Sequence, residues 1–512
     1  MANTNEQCPT LEKLLDRLDH LQNQRLVQEL VANHPELKEE IEQFVISIPD
    51  RDSSQQSYNI TPHSTSSKKQ SPSVRRTTVD PTPYQKQVRQ ILRDAVRSWE
   101  DGYDEDPVSE EILSIIQTAV DFSERGDGNN ALIILAAITQ ACVENWDDVA
   151  DYGAENEEIV EALNSAWCEA ILTTEFTEEE KLDLEENLEA WQDEWSANFE
   201  MALEALRQGW DYPPLVRVLQ GNVTKQGAWE GEPPDYADDL ALIRLKILES
   251  DERYQEYLYL AEAEGQTKQY LTMLGRLGRV EEAMNAAQTQ MTSMNEAFAL
   301  AKTLQEQGAL AQALQIAQTG LKLEGNCQYD LGTWTSDLAV ELGDKQAALS
   351  AKIAAFAAKP SFTDYQKIEE LAGENWASVK TDLLQILRTY KGWGCDEAKV
   401  AIFLHEGLIE DAIAIVSELS SYSSQLIHSV MDAAISHNPD WVIANARRRA
   451  ESIMDGGKAE HYDNAVEWLK KARAAYLESG RKADWATYRE KLVQTHGRKY
   501  KLMGLFKQRD MQ

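Results

Sequence analysis

Long apolar runs are missing from this sequence. No run of eighteen apolar residues exists, so a membrane-spanning helix is not expected. Cysteine is scarce and scattered: Cys8, Cys142, Cys168, Cys327 and Cys395 are the only five, and no two lie within four residues of each other. That spacing excludes a zinc cage built from local pairs, and an odd number of isolated thiols argues against a disulfide framework. They read as small buried hydrophobes in a reducing compartment. The first residues carry no basic stretch followed by an apolar one, so the expected address is cytoplasmic. Apolar and polar residues nowhere alternate over a useful length, which excludes a sheet. Basic residues nearly vanish from 101 to 200, where 29 Asp and Glu face only Arg125 and Lys181.

The motifs of common chemistry are also absent. Gly275-Arg-Leu-Gly278 is a glycine doublet without the preceding strand that a phosphate-binding loop needs. No Gly-x-Ser-x-Gly elbow occurs. His405-Glu406 lacks a second histidine one helical turn away, and Cys395 would meet His405 only through folding. Asp101, Asp104, Glu105, Asp106 and Glu110 are dense in carboxylates but miss the alternation of a calcium loop. They read as a solvated acidic run. No catalytic, cofactor-binding or metal-ligating residue is nominated, and no cofactor is expected.

What the chain does have is one short pattern that keeps returning. Gly278, Gly308 and Gly343 are each followed five residues later by an alanine (Ala283, Ala313 and Ala348), and the spacing recurs at Gly407 with Ala412 and at Gly126 with Ala131. Glycine suits the residue just past a helix, where φ is positive. An alanine in the first turn of the next helix lets two helices cross closely. The glycines at 278, 308 and 343 are 30 and 35 residues apart, and Gly407 lies 64 further on, about two periods. This is the spacing of stacked helical hairpins.

Taken in order, residues 1–48 form a small N-terminal helical unit by apolar periodicity, with His34-Pro35 opening its last helix. Residues 49–83 are rich in Ser, Thr and Pro and hold Lys68, Lys69, Arg75 and Arg76, the composition of a disordered basic linker. Residues 84–236 form an acidic helical domain. Within it, Asn130 to Val143 is apolar enough to be central, and Thr177 with three following glutamates resembles a helix-capping arrangement. Leu182, Leu184, Leu188, Trp191, Trp195 and Phe199 follow at helical spacing, an aromatic stripe that reads as core, with Trp191 and Trp195 stacked on one face. Leu215 to Asp235 reads as a long loop in which an exposed Trp229 would be a contact candidate. Residues 237–495 form the helical-repeat solenoid, and 496–512 a basic C-terminal tail. The expected fold is all-α, with degenerate tetratricopeptide-like hairpins forming an α-solenoid behind the acidic domain.

Charge is segregated along this order. The whole chain carries −37, yet residues 51–100 hold nine Lys and Arg against four acids, and residues 441–512 sixteen against nine. A strongly acidic middle repels phosphate backbones, which confines any direct nucleic-acid binding to weak contacts through the basic linker or tail. A solvated helix surface is the simplest reading of the acidic segment, and a basic partner the alternative.

Two resemblances follow. The Gly-x4-Ala turns, with leucine just before the glycine at Leu277 and Leu342 and nearby at Leu404, resemble tetratricopeptide and related helical-hairpin repeats, without the usual aromatic residues and closing proline. His34-Pro-Glu-Leu37, Pro83 through Arg93, Gly126 through Asp148, Ala202 through Pro213 and Arg498 through Met503 resemble the region that follows the finger in bacterial SWIM-type zinc finger proteins. The finger itself, Cys-x-Cys with a later Cys-x-His, is absent. The resemblance implies a helical scaffold associated with DNA-linked machinery, including helicase-like ATPases. The expected function is a non-enzymatic interaction scaffold for an unidentified protein partner, with no membrane association. The alternative is an accessory factor of DNA repair or remodelling. Neither oligomeric state nor pathway is legible.

Overall fold

The structure, a computed structural model, describes residues 78–101, 108–224, 226–419, 424–457 and 459–508, all within the unit Val74–Gln512. The expected N-terminal helical unit, most of the linker with its four basic residues, and Asp104 to Asp106 of the acidic run lie outside the described residues. Every regular element described is a helix; the one extended contact is an isolated bridge between Ser293 and Glu324. No described helix is long and apolar enough to cross a membrane.

The first block comprises α1 (Thr82–Glu100), α2 (Val108–Glu124), α3 (Gly128–Ala150), α4 (Glu157–Leu172), α5 (Glu178–Trp195) and α6 (Glu200–Gln208). Next come α7 (Pro213–Leu219), α8 (Ala237–Ser250), α9 (Tyr254–Ala263), α10 (Thr267–Arg276), α11 (Val280–Gln290), α12 (Met294–Glu306), α13 (Leu310–Gly320), α14 (Gln328–Glu341) and α15 (Lys345–Ala358). The chain continues through α16 (Phe362–Ala372), α17 (Trp376–Thr389), α18 (Asp396–His405), α19 (Ile409–Glu418) and α20 (Ser424–Ala434). It closes with α21 (Pro439–Gly456), α22 (Tyr462–Glu478), α23 (Lys482–His496) and α24 (Tyr500–Gln508).

The recurrent turn is a helix-ending motif with defined hydrogen bonds. Gly278 has φ 71°; its N–H donates to the Gly275 carbonyl at 2.9 Å, and the N–H of Arg279 to the Leu274 carbonyl at 2.9 Å. That pair of bonds satisfies two of the carbonyls a helix end leaves open. The same pair recurs at 126, 308, 343 and 407, where φ lies between 70° and 76°. All five alanines placed after these glycines are 0 % exposed. The turn therefore ends one helix and seats the next against it.

From α9 onward, packing is local in the chain. α12 packs on α13, and also on α10 and α14; α18 packs on α19, and also on α16 and α20. Contacts to helices one and two places along are those of a helical-hairpin array, in which each hairpin covers its neighbours. The buried apolar residues fall into three clusters that pass from one to the next along single helices. On α8, Leu240 and Ile247 belong to the first and Leu245 and Leu248 to the second. On α15, Ala347 and Ala348 belong to the second and Phe356 to the third.

In the first block α3 is central, with buried residues on all sides and α1, α2, α4 and α5 packed around it. Asn130, buried at its start, accepts hydrogen bonds from the Thr78 and Val79 N–H groups at 2.9 and 3.2 Å, fixing the residues that lead into α1. The capping arrangement at Thr177 is a full capping box with Glu180. The tryptophan stripe of α5 is core, but its two rings do not pair with each other. Trp191 lies 5.9 Å from Trp167 of α4, and Trp195 5.3 Å from Trp146 of α3. Leu182 of that stripe is 60 % exposed.

Three segments differ from expectation. Thr82 and Pro83, placed in the linker, already belong to α1, where proline suits the first turn. The expected loop from Leu215 begins only after α7, which Pro213 and Pro214 open. The expected basic tail largely folds as α24, whose Leu502 and Phe506 are buried against the last hairpins.

Candidate docking groove

The block's acidic surface holds an apolar depression that no local sequence pattern announces. α2 and α8 both pack on α4 and straddle it. The side of α4 that faces this depression carries Ala162, Ser165 and Ala166, all within about one helical turn. Their short side chains leave a low floor between taller walls: Leu113, Ile116 and Val120 from α2, Leu242 and Ile243 from α8. The resulting groove has a volume of about 410 Å³. It adjoins a second hollow of about 270 Å³ that shares Ser165, Leu242 and Ile243 and continues to Met201 and Tyr236.

Its edges are charged. Lys246 closes one end, its Nζ 2.9 Å from both Glu124 Oε1 and Glu169 Oε2. Partial burial works against the Lys246 charge, but hydrogen bonds to the two carboxylates outweigh it and raise its pKa above the ordinary lysine value. Glu161 and Asp239 line the adjoining hollow. Neither has a cation within ion-pairing distance among the described residues. Also on α8, Arg244 is 2 % exposed and donates to Gln208 Oε1 at 2.7 Å, tying α8 to the end of α6. Burial pushes its guanidinium down to about 10.

Two further hollows are less uniform. One of about 540 Å³ between α1 and α3 mixes Arg93 and Arg97 with Glu100, Asp148 and Asp151. Another of about 410 Å³ lies between α13 and α15 and is floored by alanines and Ser350. Of these hollows, only the α2–α4–α8 groove combines a branched apolar lining with edges dominated by one sign of charge.

The residues singled out from sequence fare differently. Trp229 is buried, not exposed: its Nε1 donates to Glu264 Oε2 at 3.0 Å, so the loop is clamped onto α9. The exposed tryptophan is Trp393, fully solvent-accessible in the turn between α17 and α18. Two glycines beside it remove any neighbouring side chain that would cover it, a signal present in Gly392-Trp393-Gly394. Cys142 and Cys168 are fully buried, and burial drives both thiols far above their ordinary pKa. Cys395 is buried beside Trp393, while His405 packs edge-on against Phe362, 5.4 Å between centroids. Among the described residues no group of three or more His, Cys, Asp or Glu is placed to hold a metal ion. Glu406 accepts from Tyr365 Oη and Lys380 Nζ, each at 2.9 Å, so both carboxylate oxygens tie helices together.

No family model matches the chain, and no curated protein does.

Proposed function

We propose that this chain is a non-enzymatic protein–protein interaction scaffold, acting in the cytoplasm, whose helical frame presents a docking surface to a protein partner. The observation that carries this reading is the apolar groove on α2, α4 and α8, in a block whose residues 101–200 hold 29 Asp and Glu against two basic residues. Interfaces of this kind join an apolar centre to a polar rim, and a groove between packed helices is a common seat for a partner element. Repeats behind it extend the surface without adding chemistry. The expected result is that the protein, used as bait in native lysate at moderate salt, retains a discrete partner. Retention of nothing above background would contradict the proposal.

A second reading rests on the charge of residues 441–512, sixteen Lys and Arg against nine acids. On it, the protein is an accessory factor of DNA repair or remodelling, related to SWIM-type proteins but without their finger. It expects a salt-sensitive shift of DNA mobility at low salt. Deleting residues 496–512 would strip Leu502 and Phe506 from the core. The better test replaces the exposed Lys501 and Lys507 with glutamine. No shift with the intact protein would end this reading.

A further inference from the structure

We propose that the groove between α2, α4 and α8 receives a cationic amphipathic helix of a protein partner. This rests on the scaffold reading and specifies its occupant. The shape argues for a helix. The groove and the hollow that adjoins it together follow α4 from Glu161 to Glu169, about 12 Å at the helical rise, which matches the span of apolar anchors at i, i+4 and i+7 on a docking helix. Its walls are two helices either side of a third, the arrangement into which a further helix packs as a ridge into a groove.

The charge argues for cations. α2 carries four carboxylates and no basic residue, α4 four and none, and α8 three against Arg244 and Lys246. Both cations are already engaged: Arg244 is buried with Gln208, and Lys246 bridges Glu124 and Glu169. Glu161 and Asp239 line the adjoining hollow with no cation within ion-pairing distance among the described residues. Lys or Arg beside the anchors would meet these carboxylates at the rim, speeding encounter and setting orientation, while the Leu113, Ile116, Val120 and Leu242 walls take the anchors. An acidic or purely apolar helix finds no such complement.

The test is calorimetric titration of the full-length protein with a synthetic peptide of about 18 residues, long enough for the anchor pattern, with leucines at i, i+3, i+4 and i+7 and lysines elsewhere. A scrambled peptide of equal composition and a leucine–glutamate peptide are titrated alongside. The expected result is one-to-one binding of the leucine–lysine helix, at least about tenfold tighter than either comparison. Ser165→Trp fills the floor, and Leu242→Lys makes an exposed wall position cationic. Each should weaken binding at least about tenfold with an unchanged circular dichroism spectrum. Leu242→Lys keeps the test valid if the tryptophan variant does not fold. Equal binding of the scrambled peptide, or binding indifferent to Leu242→Lys, overturns the proposal. If the cationic helix fails yet a lysate partner is retained and lost on Ser165→Trp, the scaffold reading stands and the cationic occupant falls. If neither binds, both fall.

Discussion

Glu252 ends the turn after α8 with φ 58°, a left-handed conformation that costs an L side chain about 1–2 kcal/mol. Its hydrogen bonds are those of the glycine turns: Glu252 N–H to the Glu249 carbonyl at 3.0 Å and Arg253 N–H to the Leu248 carbonyl at 2.8 Å. Glu252→Gly is therefore expected to raise stability by about 0.5–1 kcal/mol, part of the relief being offset by the freer unfolded chain. Gly308→Ala should do the reverse, lowering it by about 1 kcal/mol; a Cβ there meets nothing within 4 Å, so the loss is backbone strain alone. Denaturant midpoints of the two variants against the parent check both signs. The glycine turns were legible because φ > 0 selects one residue type. The turn at Glu252 was not, because a helix can end the same way on a residue that announces nothing. Trp229 and Trp393 show the same limit: exposure of a lone aromatic depends on whether a distant carboxylate such as Glu264 comes within reach.

At the scale of elements, two polar contacts hold hairpins together and give opposite kinds of prediction. Lys352 of α15 and Asp364 of α16 form an ion pair at 2.5 Å with both side chains more than nine-tenths buried. Asp364 also accepts from Ser361 and Tyr329. Lys352→Met should destabilise by about 3–5 kcal/mol, because a buried carboxylate then lacks its cation, whereas replacing both partners with apolar residues should cost less. Thermal melts of the single and double variants test this order. Between α20 and α22, His428 stacks on Trp468 at 3.7 Å between centroids. Burial, then Lys471, lowers its pKa from an ordinary value of 6.5, and burial, then Lys499, does the same for His496. Below that ordinary value the unfolded chain binds protons that the folded chain does not. The stability these histidines contribute is thus full above about pH 6.5 and lost as pH falls through the lowered values. Hydrogen exchange in α20–α23 should speed up between pH 7 and 5.5, corrected for intrinsic rates, and His428→Phe, which keeps a ring on Trp468, should flatten part of the change.

Element placement was largely readable from period and capping: α3, the Thr177 box and the repeat hairpins lie where apolar spacing put them. The groove was not. Ile116, Ala166 and Ile243 are 50 and 77 residues apart, and each is unremarkable in its own helix. What turns these residues into a site is the crossing of α2 and α8 over the small face of α4, which no local window contains.

For the whole molecule, segregation of charge and continuity of packing belong together. α8 belongs to both the acidic block and the array, since its two faces feed both cores. A partner seated on its outer face would therefore bear on a helix that the array also holds in place. The most direct measurement of the docking claim places a photo-crosslinking residue at Leu242 and, as a comparison, at Val340, an exposed apolar position on α14. Irradiated in native lysate, the Leu242 protein should form a discrete adduct with another protein, suppressed by the leucine–lysine peptide, while the Val340 protein should not. No adduct at Leu242, or equal adducts at both positions, would contradict the account.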